Sequence, residues 1–192
     1  MQLSNIFFQF FRKFEDKLLP LKAGRPAKSD DIWFRDITST DHIREKDGVM
    51  RLHHAAFKGK AISQPSHKIW LSEISGRLNS KAETIESIKS YGELRAELAK
   101  KNAIAKGQSG RKIIYIGVIF KNVREIRKFN FMQADVIYDP TEEPIYDKAH
   151  ANFVSYDKNP VYFNNLEILQ MLCKDFEFIP VQSLERSPLG KK

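Results

Sequence analysis

A single cysteine, Cys173, in 192 residues excludes an intramolecular disulfide and a thiolate zinc cluster. It makes a reducing, cytoplasmic setting the expectation. Long apolar runs are missing too: the nearest to one, "MQLSNIFFQFFRKFEDKLLPL", is broken by Gln9 and then by Arg12 and Lys13. A membrane span needs about 20 apolar residues, and a signal peptide needs its charge before the apolar run. Neither pattern is met. Four of the five histidines, His42, His53, His54 and His67, fall within 26 residues, but no two have the four-residue separation of a zinc-binding helix. No metal site is therefore expected there. Internal repeats, low-complexity runs and glycine-rich phosphate loops are absent as well.

What the N-terminus does have is helical periodicity. Leu3, Phe7, Phe10, Phe11, Phe14 and Leu18 share one face of a helix that ends before Pro20. Such a face docks on the chain's own core, on a partner protein or on a membrane surface. "KAGRPAKSDD" follows as a polar linker over 21–31. Residues 32–183 then read as one domain, which leaves 184–192 as a flexible tail. The length suits one sizeable core and not two.

Charge is uneven. The chain carries a formal +8, and nine basic residues lie between 100 and 128: Lys100, Lys101, Lys106, Arg111, Lys112, Lys121, Arg124, Arg127 and Lys128. Glu125 is the one acid among them. The last 64 residues hold ten acids against six bases. A basic middle and an acidic end suit an anionic partner, and nucleic acid is the leading candidate.

Along the chain, "IWFRDI" and "KIIYIGVIF" are rich in strand formers, and Asp47-Gly48 signals a tight turn. "HKIWLSEISGRLN" has apolar spacing that predicts a helix near 69–79. Ser80, with Glu83 three residues on, predicts the cap of a second helix reaching Lys106, which "GQSG" closes. "KNVREIRKF" reads as helical, "MQADVIY" and "HANFVSY" as paired strands, "NNLEILQMLCKDF" as a helix and "EFIPV" as a last strand. The class is α+β: a mixed or antiparallel sheet packed by helices, plus the N-terminal amphipathic helix.

The connection between the paired strands, "DPTEEPIYD", holds Asp139, Glu142, Glu143 and Asp147. Those are residue types of a solvated turn, and also of a hard-cation site. Asp135 and His150 flank it, where strand pairing could join a carboxylate to a histidine for proton transfer. His54 precedes "AAFKGKA", in which Gly59 would let a phosphate approach the backbone and Lys58 and Lys60 would balance its charge. Glu73 and Arg77, four apart, read as an ion pair along a helix or as groups reaching into a cleft.

"WFRDITSTDHI", "LHHAAFKGKAI", "SEISGRL" and "ADVIYDPTEEPIYDKAHANF", spanning 33–156, resemble a diffuse family of small standalone bacterial proteins of undetermined function. The resemblance implies a bacterial origin and a grouping of Arg35, His54, Glu73, Arg77 and His150 as catalytic candidates. The chain is also similar to ADP-ribosyltransferases, in which an early strand carries an Arg or His that holds NAD. Arg35 stands where that residue would be, but a Ser-Thr-Ser strand and a late catalytic Glu are not found. Two functions follow as expectations. One is a basic accessory or binding protein, contacting nucleic acid or an acidic partner within a larger defence- or toxin-related assembly, with its N-terminal helix on a protein partner. The other is an enzyme acting on a nucleotide or RNA, as an ADP-ribosyltransferase-like activity or a nuclease.

Overall fold

A computed structural model describes residues 21–61, 72–82, 84–108, 110, 112–141, 146–156, 163 and 165–190. The N-terminal arm over 1–20, His67, Glu83, Arg111, Glu142 and Glu143 lie outside the described residues.

The fold is α+β. Its main sheet is built from β1 (Ile32–Ser39), β4 (Lys60–Ala61), β5 (Ser72–Leu78), β6 (Ile113–Asn122), β7 (Ala134–Tyr138), β8 (His150–Ser155) and β9 (Glu177–Pro180). The order is β7-β8-β5-β1-β6-β9, every neighbouring pair antiparallel, with β4 added on β5. A separate hairpin joins β2 (Ile43–Lys46) to β3 (Val49–Leu52). Asp47 (φ 56°) and Gly48 (φ 72°) both take positive φ at its turn, which is the geometry the Asp-Gly pair favours in two-residue hairpins.

Period-2 alternation sends the sheet's side chains into two cores. One face carries Trp33, Ile37, Ile74, Leu78 and Phe153, packed against Ile168, Leu169 and Leu172 of α3 (Leu166–Asp175). The other carries Phe34, Val118 and Phe120, covered by Ile88 of the helix α1 (Ile85–Ala105) and by Leu184 and Leu189. Each fully buried Ile, Leu or Phe in these layers contributes roughly 1.5–3 kcal/mol. A single helical turn, α2 (Val123–Ile126), follows β6.

Helix α1 begins later than the sequence suggests. Thr84 is its cap, accepting from the Ser87 N–H at 3.1 Å, in place of Ser80. Its end is a glycine stop: Gly107 (φ 72°) donates to the Ile104 carbonyl and Gln108 to that of Ala103. These two bonds are the pair a left-handed glycine allows after a helix.

Three other expectations are corrected. "SEISGRL" is the strand β5 and not a helix; Ile74 and Leu78 are four apart, and four is a multiple of the strand period as well as close to the helical one. The stretch read as a linker packs along β7, where Ala27 is fully buried and its N–H donates to the Val136 carbonyl. The stretch read as a flexible tail forms short 3-10 turns that bury Leu184, Ser187 and Leu189.

Candidate functional site

Strands β1 and β5 pair through only two residue pairs, Trp33 with Leu78 and Phe34 with Arg77. Beyond them β1 turns away, and the same edge of β5 next meets β4 at Glu73 and Ser72. Ile74, Ser75 and Gly76 pair with neither strand, so the sheet splits. The split opens into a cleft of about 480 Å³. Its walls are Arg35, Asp36 and Thr38 from β1, Glu73 to Arg77 from β5, and His150 and Asn152 from β8. His42, Lys58, Asp139 and Asp147 come from connections, and Tyr91 and Arg95 from α1.

Gly76 makes room for the Trp33 indole against this unpaired stretch of β5. A Cβ there would lie 2.3 Å from the Trp33 ring, and that indole is fixed by its N–H donating to the Ala151 carbonyl at 3.1 Å. Any side chain at 76 would push the indole out from under the strand.

Arg77 is buried across the register from His150. Its Nε donates to Asp147 Oδ1 at 3.3 Å and lies 3.2 Å from Oδ2, while its guanidinium carbon sits 4.0 Å from the centre of the Tyr91 ring. Asp147 also accepts from the Ala149 N–H at 3.0 Å and exchanges two backbone bonds with Thr141. It is 3% exposed, so the solvated-turn reading of this residue is overturned. The strand register brings it under Arg77, and a paired carboxylate can stay buried.

Asp36 stands inside the same charge cluster. Burial pushes its carboxyl up to about 6, with Asp147 acting in the same direction and Arg77, Arg95 and Arg35 opposing. Arg35 is driven down to about 10 by burial and then by the neighbouring Arg95 charge. Burial and the Asp147 charge push the Tyr91 phenol up to about 12. Tyr115 is raised too, by burial and then by Asp36. Both phenols therefore stay protonated at neutral pH. Arg77 Nη1, Asp36 Oδ1 and Asn152 Oδ1 are buried polar atoms with no hydrogen-bond partner among the described residues.

His150 is held in one tautomer. Its Nδ1 faces the Asp139 carbonyl, which can only accept, so Nδ1 carries a proton and the lone pair of the neutral ring is on Nε2. Asn152 donates to Asp139 Oδ2 at 2.9 Å and steadies the same connection.

Four of the five catalytic candidates, Arg35, Glu73, Arg77 and His150, thus meet in one cleft. His54 does not line it; its ring packs 3.9 Å from that of His53. Nor do Asp135 and His150 meet. Asp135 pairs across β7 and β8 with Val154, four residues or about 13 Å along the strand from His150, and it binds Arg127 at 2.7 Å. Asp36, Arg95, Tyr91 and His42 were not among the candidates. Asp36 alone had a signal, a carboxylate inside a strand-forming run, where charge is rarely buried without a reason.

The basic residues do not form one patch. Lys100, Lys101 and Lys106 are exposed towards the end of α1, and Lys112 precedes β6. Lys121 sits near the other end of that strand, about 30 Å away at 3.3 Å per residue. Its ammonium donates to the Asp175 carbonyl at 2.7 Å and lies over Phe129. Arg127 binds Asp135, Ser29 and the Ala27 carbonyl, and Lys128 pairs with Glu125. Arg124 is exposed.

Burial pushes the Cys173 thiol up to about 11, which makes it a poor nucleophile. Among the described residues no group of three or more His, Cys, Asp or Glu is placed to hold a metal ion, and no helix is long and apolar enough to cross a membrane. Comparison with protein-family models, with curated proteins and with solved structures returned no match.

Proposed function

We propose that the cleft binds a phosphate-bearing substrate of the nucleotide class and performs acid-base chemistry on it. The observation that carries this reading is the convergence of Arg35, Arg77 and Arg95, from β1, β5 and α1, around the Asp36 carboxyl. Three guanidinium groups near one point repel each other. A bound oxyanion offsets that repulsion and uses their forked donors.

The roles divide by geometry. Arg77, locked by Asp147 and stacked on Tyr91, is a fixed donor wall. Arg95 and Lys58 are exposed at the cleft and reach the anion from solvent. His150 Nε2 is the proton acceptor for an attacking hydroxyl or water. Asp36, half protonated near pH 6, returns a proton to the leaving group, because a general acid works best when its pKa lies near the working pH.

The test is turnover. The full chain, offered a panel of nucleotide phosphodiesters and NAD, should convert at least one, and His150→Ala should lower kcat by about 10²–10⁴-fold with substrate binding retained. Equal turnover by wild type and His150→Ala removes the histidine from the mechanism.

A further inference from the structure

Seen from the cleft, the β2–β3 hairpin is an arm with its charges sorted by face. Its register is Ile43 with Leu52, Arg44 with Arg51, Glu45 with Met50 and Lys46 with Val49. Alternation therefore puts Arg44, Arg51 and Lys46 on one face with Val49, and Glu45 with Met50 on the other. Only the base pair, Ile43 and Leu52, packs against the core; every residue from Arg44 to Arg51 is exposed. Two arginines directly opposite each other destabilise a strand pair, and an isolated two-stranded hairpin is only marginally stable. The hairpin keeps this unfavourable pair on its solvent face.

The basic face continues towards the cleft. His53 follows β3 with the parity of Arg51, and its N–H donates to the carbonyl of His42, a cleft residue, at 2.9 Å. Arg44, His54 and Lys58 all lie close enough to His53 to help lower its pKa, after burial itself. Lys58 also lines the cleft. The nearby acids are Asp41, at the base beside Ser39, Glu45 on the opposite face and Asp47 in the turn.

We infer that the hairpin's Arg44/Lys46/Arg51 face binds the phosphate backbone of a nucleic acid strand and leads one of its nucleotides into the cleft. This rests on the nucleotide reading of the cleft and names its substrate class, a polynucleotide. Cations two residues apart on a strand recur about every 7 Å, so an extended polyanion meets a row of them. A mononucleotide lacks the successive backbone phosphates that would follow such a row. The acids on or beside the hairpin lie outside this face or at its ends.

The experiment compares two ligands on the full chain. A fluorescently labelled single-stranded RNA of about ten nucleotides is titrated at several salt concentrations, and a mononucleotide is titrated by calorimetry. The double variant Arg44→Ala, Arg51→Ala should bind the oligonucleotide at least about tenfold more weakly. The slope of log K against log salt should fall by about 1.4, two phosphate contacts on a single strand. Mononucleotide affinity should stay at the wild-type value, and the thermal midpoint should not fall, because the opposed arginines do not stabilise the hairpin. Glu45→Ala, on the opposite face, should not reduce oligonucleotide binding. An unchanged salt slope in the double variant overturns the inference, and so does an equal loss of both ligands. A wild type that binds the mononucleotide but not the strand overturns it while leaving the cleft reading intact. A wild type that binds neither overturns both. Wild-type preference for anionic vesicles or an acidic peptide over the RNA also overturns it.

Discussion

The Nε of Arg77 lies 3.2 Å from Asp147 Oδ2, and the two side chains are 8% and 2% exposed. Strand β5 and the connection before β8 are joined at this point by a buried ion pair that also forms the floor of the cleft. Removing one partner strands a charge away from water. Asp147→Ala should therefore destabilise the fold by about 3–5 kcal/mol, far beyond the about 0.5 kcal/mol typical of a surface carboxylate. Urea unfolding of wild type and variant measures the difference.

A second prediction separates structural cations from exposed ones. Arg127→Ala breaks the ion pair with fully buried Asp135 together with bonds to Ser29 and Ala27, and should cost about 3–5 kcal/mol. Arg124→Ala, on an exposed side chain three residues earlier, should stay within about 0.5 kcal/mol of wild type. The same unfolding experiment compares them.

Gly76→Ala places a methyl group 2.3 Å from an indole that cannot move without breaking its bond to Ala151. The strain should cost about 1–3 kcal/mol, read as a lower thermal midpoint. Gly110→Ala, where an added Cβ meets nothing within 4 Å, is the matched control and should leave that midpoint in place.

The pH dependence follows from Asp36. Its folded value is raised to about 6, above the ordinary carboxylate value of about 4. Between those values the folded chain holds a proton that the unfolded chain has lost. The contribution is fully present below about pH 4 and is lost as the pH rises through about 6. Asp36→Asn should remove this decline, so the variant gains stability relative to wild type above pH 6. It should also lose turnover, because an amide cannot donate and regain the proton. Thermal midpoints measured from pH 4 to 8 test the first part.

How much of this was legible in the sequence depended on the range of each signal. Asp47-Gly48 named its turn because the positive φ is local to two residues. The "KIIYIGVIF" strand was legible because little else suits so many β-branched and aromatic residues. Glu73 and Arg77 were found by way of the wrong element, since four residues return to the same side in a strand as in a helix. Asp147 was misjudged because its loop composition is local while its burial depends on β8 pairing with β5. Arg95 and Tyr91 carried no signal: polar residues on an exposed helix face look alike until the helix is laid across a gap in the sheet. The nine basic residues were legible as a count, but a ten-residue strand carries Lys112 and Lys121 to opposite ends.

The claim that the cleft is an anion site for nucleotides is tested most directly by calorimetric titration of the full chain with nucleoside diphosphates, wild type against Arg95→Ala. Arg95 is exposed, so its loss should leave the fold intact. The predicted result is saturable one-to-one binding by the wild type, weakened roughly 10–100-fold in the variant, the effect of losing one hydrogen bond to a charged group. No saturable heat with the wild type, or the same affinity in both proteins, would contradict it.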